Sequence, residues 1–380
     1  MGNNLNLYDP LFYAQEGLIQ LQKALGMASR VHRGYDKEPQ QKGSTIKISK
    51  PGTFTAQDAP SNDQDINAEG MEIKLDKWKE VKFGLTDKEL NSTGEQIIVD
   101  HIQPAAYAIA DDIDMNLNAL AKFVPWYYDV AATTEIKDIT RVKKILRDNK
   151  VPLNIPDTLF YEVGSEMEAG FAELFANSGF AGTSAEELQR TGVIGMKFGF
   201  NIFANQNVGT HTKGTASVSA LLTSGAFLKG ATVVNLDAAS VTGTLVKGDS
   251  FAIAGDVQRY AVVNESPVTA AGNTFTGVQI FPPLSRDTAD NTSVTVSLVN
   301  HVENVAYHRN AFALAMAPLS EMGREFSVKV ETVFDEASGI ALRARMWYDA
   351  DKSKTKVALD ALYGVKCLDA NLAVKARRAA

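Results

Sequence analysis

The chain has 380 residues, of which 45% are apolar and 22% charged, and its formal net charge is −7. Values this close to the averages of globular proteins exclude wholesale disorder, and the length predicts two or three domains, each with its own core. The acidic total argues against a protein that wraps nucleic acid by neutralising phosphates, and the single cysteine, Cys367, excludes an internal disulfide framework and a four-cysteine zinc site.

The start of the chain lacks the basic and apolar regions of a secretory signal. No apolar run in the sequence reaches the roughly 18 residues that a membrane span needs. We therefore expect a protein that is made in the cytoplasm and has no membrane partner.

Residues 1–34 predict a helical arm. Pro10 suits the first turn of a helix, and Gly26 is expected to end it. Apolar residues at three- and four-residue steps mark one helical face: Leu11, Ala14, Leu18, Leu21 and Leu25. The pattern leaves open whether the arm packs on its own domain or reaches another chain.

Residues 44–84 alternate between apolar and polar side chains, and this alternation predicts two strands of a long ribbon. Between them, residues 56–70 are acidic and nearly free of large apolar groups, so they cannot bury enough surface to order themselves. An isolated two-stranded ribbon is marginally stable. We therefore expect either a surface hairpin on its own domain or a ribbon that leans on another chain.

Residues 104–205 predict a mixed arrangement of helices and strands. The clearest helix spans residues 104–124, with Pro104 in its first turn and Pro125 just beyond its end. Further helices are predicted at 136–149, 165–176 and 184–190, and strands at 158–163 and 192–204.

The composition changes near residue 210. Residues 213–303 contain few charges and many short apolar-alternating runs separated by turn residues, which predicts a small all-β barrel or sandwich inserted into the mixed domain. After it we predict a helix around 310–317 and strands at 326–334, 339–348, 356–365 and 371–376.

Signatures of catalysis or metal binding are scarce in the sequence. The five histidines are dispersed, and Cys367 reads as a structural thiol. The run from Gly243 to Ser250 has Asp249 where a phosphate loop requires lysine, so we predict a hairpin turn there. Asp111, Asp112 and Asp114 are expected to form a solvated helix face. We predict no catalytic, cofactor-binding or metal residue and no enzymatic activity; an enzyme whose site is assembled from distant residues is the weakest alternative.

Three parts of the sequence carry a resemblance to a known family. They are VKGDSFAIAG (246–255) with VQIFPPL (278–284), then VAYHRNAFALAMAPL (305–319), and finally SGIALRARMWYD (338–349) with ALDALYGVKCLDANLAV (358–374). Together they resemble the major capsid (coat) proteins of tailed bacteriophages, and among these the P-twenty-two-type coat family. The resemblance covers nearly the whole chain.

The resemblance implies an α+β protein with the HK-ninety-seven-like capsid fold and an inserted all-β barrel or sandwich domain. The implied parts are an N-arm (1–43), an extended β-hairpin loop (44–88), a peripheral domain with a spine helix (89–149), the axial domain in two parts (150–212 and 304–325), the inserted β domain (213–303), and C-terminal strands that link the peripheral and axial domains (326–380). The arm and the loop are expected to contact neighbouring subunits through Leu11, Phe12, Leu18, Phe54, Ile73, Leu75 and Phe83.

The implied function is a coat that self-assembles into the icosahedral head shell around double-stranded DNA. The implied partners are further copies of the chain in pentamers and hexamers, a scaffolding protein and a portal, with no sequence-specific DNA contact and no cofactor. The protein is expected in the virion after assembly in the bacterial cytoplasm. An alternative from another class is a phage tail or decoration protein with an Ig-like module.

Overall fold

The computed structural model describes residues 10–24, 26–35, 40–50, 69–153, 155, 157–176, 194–217, 219–319, 329–335 and 340–379. The chain divides into two compact units, and each unit is built from two segments of chain. The first unit comprises Met1–Asp114 and Ala313–Lys366, and the second comprises Met115–Phe312 and Cys367–Ala380.

The described helices are α1 (Pro10–Ala24), α2 (Asp87–Asn118), α3 (Ile136–Asp148) and α4 (Ser165–Ala176). Short 3-10 turns lie at Met27–Ser29, Ala119–Phe123, Arg309–Ala311 and Ala370–Leu372. No helix in the described ranges is both long enough and apolar enough to cross a membrane.

The described strands of the first half of the chain are β1 (His32–Tyr35), β2 (Thr45–Lys50), β3 (Glu69–Lys74), β4 (Lys77–Thr86), β5 (Tyr127–Val130), β6 (Leu159–Val163), β7 (Gly195–Lys197) and β8 (Phe200–Ala204). A run of short strands follows: β9 (Thr210–His211), β10 (Leu222–Thr223), β11 (Val233–Asp237), β12 (Thr244–Leu245), β13 (Ser250–Ile253), β14 (Arg259–Val262), β15 (Val268–Thr269), β16 (Thr274–Phe281) and β17 (Val294–Ser297). The last strands are longer: β18 (His301–His308), β19 (Phe312–Ala317), β20 (Lys329–Asp335), β21 (Ile340–Asp349), β22 (Lys354–Cys367) and β23 (Ala373–Arg378).

The first unit is built on a six-stranded sheet in the order β1-β19-β22-β21-β20, with β4 paired to β22. Helix α1 packs against β20 and β21. The absence of a side chain at Gly17 allows this approach, because a Cβ there would lie 2.9 Å from the side chain of Leu342. Ala14, Leu18 and Leu21 are buried, so the apolar face predicted for the arm packs within its own unit.

The second unit contains a seven-stranded sheet in the order β5-β23-β18-β6-β8-β7, with β9 paired to β18. Helices α3 and α4 contribute to the core on one face of this sheet. That core includes Ile139, Val142, Leu146, Phe171, Phe175, Tyr161, Phe200, Ala306, Val374 and Ala376.

Strands β10 to β17 form two further sheets in the second unit. One has six strands in the order β10-β11-β16-β14-β13-β17, and the other pairs β12 with β15. Their side chains form a separate core that includes Leu221, Leu236, Leu245, Phe251, Tyr260, Phe275 and Ile280. The β character predicted for residues 213–303 is therefore confirmed, while closure into a barrel or sandwich stays a prediction. We call residues 213–300 the β module.

The long helix differs from the sequence prediction at both ends. It begins at Asp87, includes Pro104 in its interior and ends at Asn118, after which the chain continues as a 3-10 turn. A proline removes one helical hydrogen bond and crowds the preceding turn, but flanking residues can continue the helix on both sides. Pro104 therefore does not mark the first turn, and the prediction that it does is wrong.

The helix predicted around residues 310–317 is also wrong, because the chain forms the end of a 3-10 turn and strand β19 there. All six residues of β19 are buried. A short apolar run that is buried on both sides shows no periodicity that separates a strand from a helix. The alanines of this run favoured the helical interpretation, and sheet pairing overrode it.

Three smaller expectations also need correction. The solvated helix face expected at Asp111, Asp112 and Asp114 is wrong for Asp114, which is buried and accepts a hydrogen bond from the backbone N–H of Met27 at 2.6 Å. The described part of the strand predicted at 192–204 forms two strands, β7 and β8, which pair as a hairpin around Phe198 and Gly199. The run from Gly243 to Ser250 contains β12, a turn and the start of β13. The turn is not a hairpin turn, because β12 pairs with β15 while β13 pairs with β14 and β17. The predicted helix at 184–190 lies outside the described residues. The α+β class, α3, α4, β6 and the C-terminal strands are as predicted.

Candidate functional site

The predicted subunit contacts occupy different environments in the structure. Leu18 in α1, Ile73 in β3 and Leu75 just after β3 are buried within the first unit, and the last two are fully inaccessible. Phe83 in β4 is partly buried and lies edge-on to the ring of His101, with 5.9 Å between ring centroids. The side chains of Leu18, Ile73 and Leu75 therefore present little or no surface to a second chain in this conformation.

The other three predicted contacts give less information. Leu11 and Phe12 lie in α1, but their side chains are outside the described part of the chain, as is the whole of Phe54. The prediction that these seven residues contact neighbouring subunits stays a prediction.

The base of the ribbon packs on its own unit. Strands β2 and β3 pair in antiparallel register, and the Lys366 ammonium donates to the carbonyl oxygen of Glu72 at 2.8 Å. Gly364 in β22 lies directly against the backbone of Lys74, where a Cβ would overlap the Lys74 carbonyl group. The base of the ribbon is therefore attached to its own unit, and contact of the ribbon with another chain stays a prediction. The acidic residues 56–68 lie outside the described ranges.

A buried ion-pair network joins β4, β21 and β22 in the first unit. The Asp360 carboxylate is fully buried and accepts hydrogen bonds from the Arg343 guanidinium at 3.0 and 2.6 Å. Arg345 lies 3.0 Å from the same carboxylate and 2.8 Å from that of Glu80, and the Trp78 indole also donates to Asp360 at 3.1 Å. One carboxylate thus organises side chains from three strands.

A second buried polar cluster lies in the second unit, and its geometry follows from strand register. His211 in β9 is opposite His301 in β18, and Glu303 in β18 is opposite Arg377 in β23. Lys375 is two residues from Arg377, so it points to the same face of the sheet. Five titratable side chains from three strands therefore share one face, and we call them the 303 cluster.

The turn between β12 and β13 packs against the 303 cluster. The Lys375 ammonium donates to the carbonyl oxygen of Gly248 at 3.2 Å, and His211 Nε2 lies 3.0 Å from the Asp249 carboxylate. The same carboxylate accepts hydrogen bonds from the backbone N–H groups of Val246 at 2.9 Å and Gly214 at 3.2 Å. Polar contacts therefore join the β module to the seven-stranded sheet.

Arg377 extends the cluster toward β5. Its guanidinium donates to the Asp129 carboxylate at 2.8 Å and to the Ser297 hydroxyl at 3.0 Å. It also lies over the Tyr127 ring, 3.4 Å from the centroid. These hydrogen bonds and the contact with the aromatic ring offset the cost of burying the positive charge of Arg377.

The side chain of Glu303 is also buried, but it lacks polar contacts like those of Arg377. The Glu303 side chain is 2% exposed, and neither carboxyl oxygen has a hydrogen-bond partner among the described residues. Burial raises the pKa of Glu303, although the nearby charges of Lys375, Lys122 and His211 oppose this. The carboxylate form of Glu303 is therefore disfavoured in the folded chain.

The neighbours of Glu303 are also shifted toward their neutral forms. Burial lowers the pKa of Lys375 to about 8, partly opposed by Glu303 and Asp249. Burial, followed by the charge of Lys375, lowers the pKa of His301 to about 3. His301 is therefore neutral at physiological pH, and its Nδ1 lies 2.8 Å from the carbonyl oxygen of Val299.

Lys375 and His211 of the 303 cluster set the electrostatic environment of the turn that they contact. In the described ranges, no group of three or more His, Cys, Asp or Glu side chains is arranged to hold a metal ion. The sequence predicts a strand at 371–376, which contains Lys375, but no motif in it singles out the charged members of the cluster. The available signal was the placement of Glu303, Lys375 and Arg377 at alternate positions within otherwise apolar strands, which predicts charges on a buried face.

Comparisons with known proteins give structural likenesses only. No protein-family model matches the chain, and no curated protein matches it. The capsid of the cyanophage P-SCSP1u is similar at 11% identity and a TM-score of 0.44, over 92% of this chain and 86% of that one. The mature capsid of bacteriophage PhiM1 is similar at 11% identity and a TM-score of 0.44, over 93% and 87%.

A virus-like particle from Pyrococcus furiosus is similar at 7% identity and a TM-score of 0.42, over 96% of this chain and 97% of that one. Each of these TM-scores is below 0.5, so the likenesses do not by themselves assign a function to the chain.

Proposed function

We propose that the chain is a major capsid protein that self-assembles into the icosahedral head shell of a tailed bacteriophage. The observation that carries the proposal is the position of the three sequence segments that resemble this family. They fall on β13, β16, β18, β19, β21 and β22, which belong to the largest sheets of both units. The resemblance therefore concerns the framework of the molecule and not one peripheral motif.

The finer assignments belong to the same proposal. The subfamily is the P-twenty-two type, and the fold is the HK-ninety-seven-like capsid fold. Helix α1 belongs to the N-arm, the ribbon to the extended loop, α2 to the spine helix, and the β module to the inserted domain. The partners are pentamers and hexamers of the chain, a scaffolding protein, a portal and the enclosed double-stranded DNA.

The test is assembly. The full chain is produced with and without the neighbouring products of its genome, and particle size is measured by gel filtration and negative-stain electron microscopy. The proposal predicts rings of five or six copies or closed shells. A compact oligomer that never forms shells under any assembly condition would contradict it and would favour a tail or decoration protein.

A further inference from the structure

Helix α3 presents a basic face to solvent in a chain whose net charge is −7. Ile139, Val142 and Leu146 are buried in the core, and the opposite side of the helix carries cations. At about 100° per residue these cations fall within one continuous arc. The basic face consists of Lys137, Arg141, Lys143, Lys144 and Arg147, and all except the half-buried Lys143 are exposed.

Neighbouring carboxylates neutralise this face only in part. Lys144 lies 2.6 Å from Asp148, and Lys137 lies 2.8 Å from Glu135. Arg141 and Arg147 are exposed, and their guanidinium groups have no ion-pair or hydrogen-bond partner among the described residues. The other acidic residue of the helix, Asp138, is buried and accepts a hydrogen bond from the backbone N–H of Glu135 at 2.7 Å. The helix therefore keeps a local excess of positive charge.

The basic face borders a groove next to the β7–β8 turn. The groove has a volume of about 250 Å³ and is lined by Thr140, Lys143, Lys144, Arg147 and Phe198. The Lys143 ammonium donates to the carbonyl oxygen of Phe198 at 2.5 Å, which fixes one cation in the groove. Lys144 and Arg147 line the same groove and lie on the exposed face of the helix.

The helix also has a defined position on the sheet. Its apolar residues share a core with Ala306, Val374 and Ala376, which alternate along their strands with the residues of the 303 cluster. Successive side chains in a strand point to opposite faces. The basic face of α3 and the β module thus belong to opposite sides of the seven-stranded sheet.

We propose that the basic face of α3 binds the backbone phosphates of double-stranded DNA without sequence preference. Several cations spaced about 5–6 Å apart along one helix face match a polyanion, which presents phosphates continuously and accepts any register. The inference rests on the proposed function, which supplies enclosed DNA as the ligand. The net charge of −7 does not exclude such binding, because a chain that is acidic overall can still bind DNA at one basic face.

The test measures binding of a labelled 30-base-pair duplex to the unassembled full chain by fluorescence anisotropy at several salt concentrations. The variant is Arg141→Gln/Lys144→Gln/Arg147→Gln, which removes three cations from the basic face. The control is Lys213→Gln/Lys229→Gln/Lys352→Gln, which removes the same charge from three exposed positions elsewhere. Each phosphate contact contributes about 0.9 to the slope of log affinity against log salt. We therefore expect the α3 variant to lose about 2 to 3 from that slope and about tenfold or more in affinity at low salt, with little change in the control.

Three results would overturn the inference: equal losses in both variants, no loss in either variant, and a wild-type chain that binds no duplex at low salt. A peptide with the sequence of residues 56–70 is tested in the same way. If this peptide binds wild type but not the α3 variant, and the duplex does not bind, the basic face contacts an acidic segment of a second copy instead. Shell formation is scored separately for every protein. Shells that form while both variants bind duplex like wild type contradict only this inference, whereas absence of shells contradicts the capsid proposal.

Discussion

Glu303 is a carboxyl group that is buried without a hydrogen-bond donor next to a lysine that is itself fully buried. Leaving a buried charged group unsatisfied costs more than leaving a neutral one, because its hydration is lost without replacement. The Lys375 ammonium donates to a backbone carbonyl of the turn, and Glu303 acts on it only through charge. The 303 cluster therefore stabilises the contact with the turn at the expense of one poorly solvated carboxyl group.

We expect Glu303→Gln to raise the free energy of unfolding at pH 8 by about 1–3 kcal/mol, because it removes the unsatisfied charge. The folded-state pKa of Glu303 is raised above its ordinary value of 4.5. Its protonation therefore stabilises the fold fully below pH 4.5, and this contribution is lost as pH rises through the folded-state pKa. The advantage of the variant should shrink as pH falls toward 4.5.

The measurement is thermal unfolding of the full chain between pH 5 and pH 8. Glu173→Gln, at an exposed position of α4, is the control and should show no such dependence on pH. A Glu303→Gln variant that is less stable than wild type at pH 8 would mean that the carboxylate is a net stabilising partner of Lys375.

Among the elements, β4 is attached to the sheet of the first unit by backbone pairing with β22 and by the side chains around Asp360. Asp360 compensates two arginines at once, so its removal leaves buried positive charge. Breaking a buried ion pair costs about 3–5 kcal/mol, and much of this is the cost of the unpaired partner.

We expect Asp360→Ala to lower the free energy of unfolding by about 3 kcal/mol or more. Asp351→Ala, at an exposed turn next to β22, is the matched control and should change stability by less than about 0.5 kcal/mol. The measurement is urea unfolding followed by tryptophan fluorescence, since one of the three tryptophans, Trp78, donates to the Asp360 carboxylate. Equal stability of the two variants would show that the network contributes nothing net.

A substitution at Ile73 distinguishes a ribbon that packs on its own unit from a ribbon that contacts a neighbouring subunit. The Ile73 side chain is fully buried in the first unit, so Ile73→Asp should reduce the yield of folded protein by placing an unpaired charge in the core. Glu72→Gln, at the exposed neighbouring position, should leave the yield unchanged. The measurements are the soluble yield and the fraction assembled into shells. Normal soluble yield with failed assembly would instead support the prediction that Ile73 contacts a neighbouring subunit.

At the scale of the whole molecule, the β module has its own core and its own sheets. Its contact with the rest of the second unit includes the polar interactions of Gly248 and Asp249 with the 303 cluster. A segment of about 90 residues with a separate apolar core can be stable alone.

Residues 213–303 produced as an isolated fragment should therefore show a β-type circular dichroism spectrum and one cooperative unfolding transition. A matched fragment with Tyr260→Ala should be less stable by about 3–5 kcal/mol, because Tyr260 is fully buried in the core of the module. A disordered spectrum for the unmodified fragment would show that the module depends on the rest of the chain for folding.

Much of this molecule was predictable from local patterns. The 3.6-residue spacing predicted α1, α3 and α4, and the two-residue spacing predicted the ribbon and the strands of the β module. The scarcity of catalytic motifs was also visible, as was the resemblance of three segments to phage coats. These features depend on residues that are neighbours in sequence or one turn apart, so the sequence by itself determines them.

Only the tertiary structure decided the remaining features. The run 312–317 is a strand because partner strands cover it on both sides, and α2 continues through Pro104 despite the missing hydrogen bond. The 303 cluster assembles residues from positions 211 to 377, and the contacts of Trp78 with Asp360 and of Glu80 with Arg345 join β4 to strands that are far from it in the chain. The physical reason is common to all of them: pairing between distant segments sets burial and charge environment, and neither property is a function of local sequence.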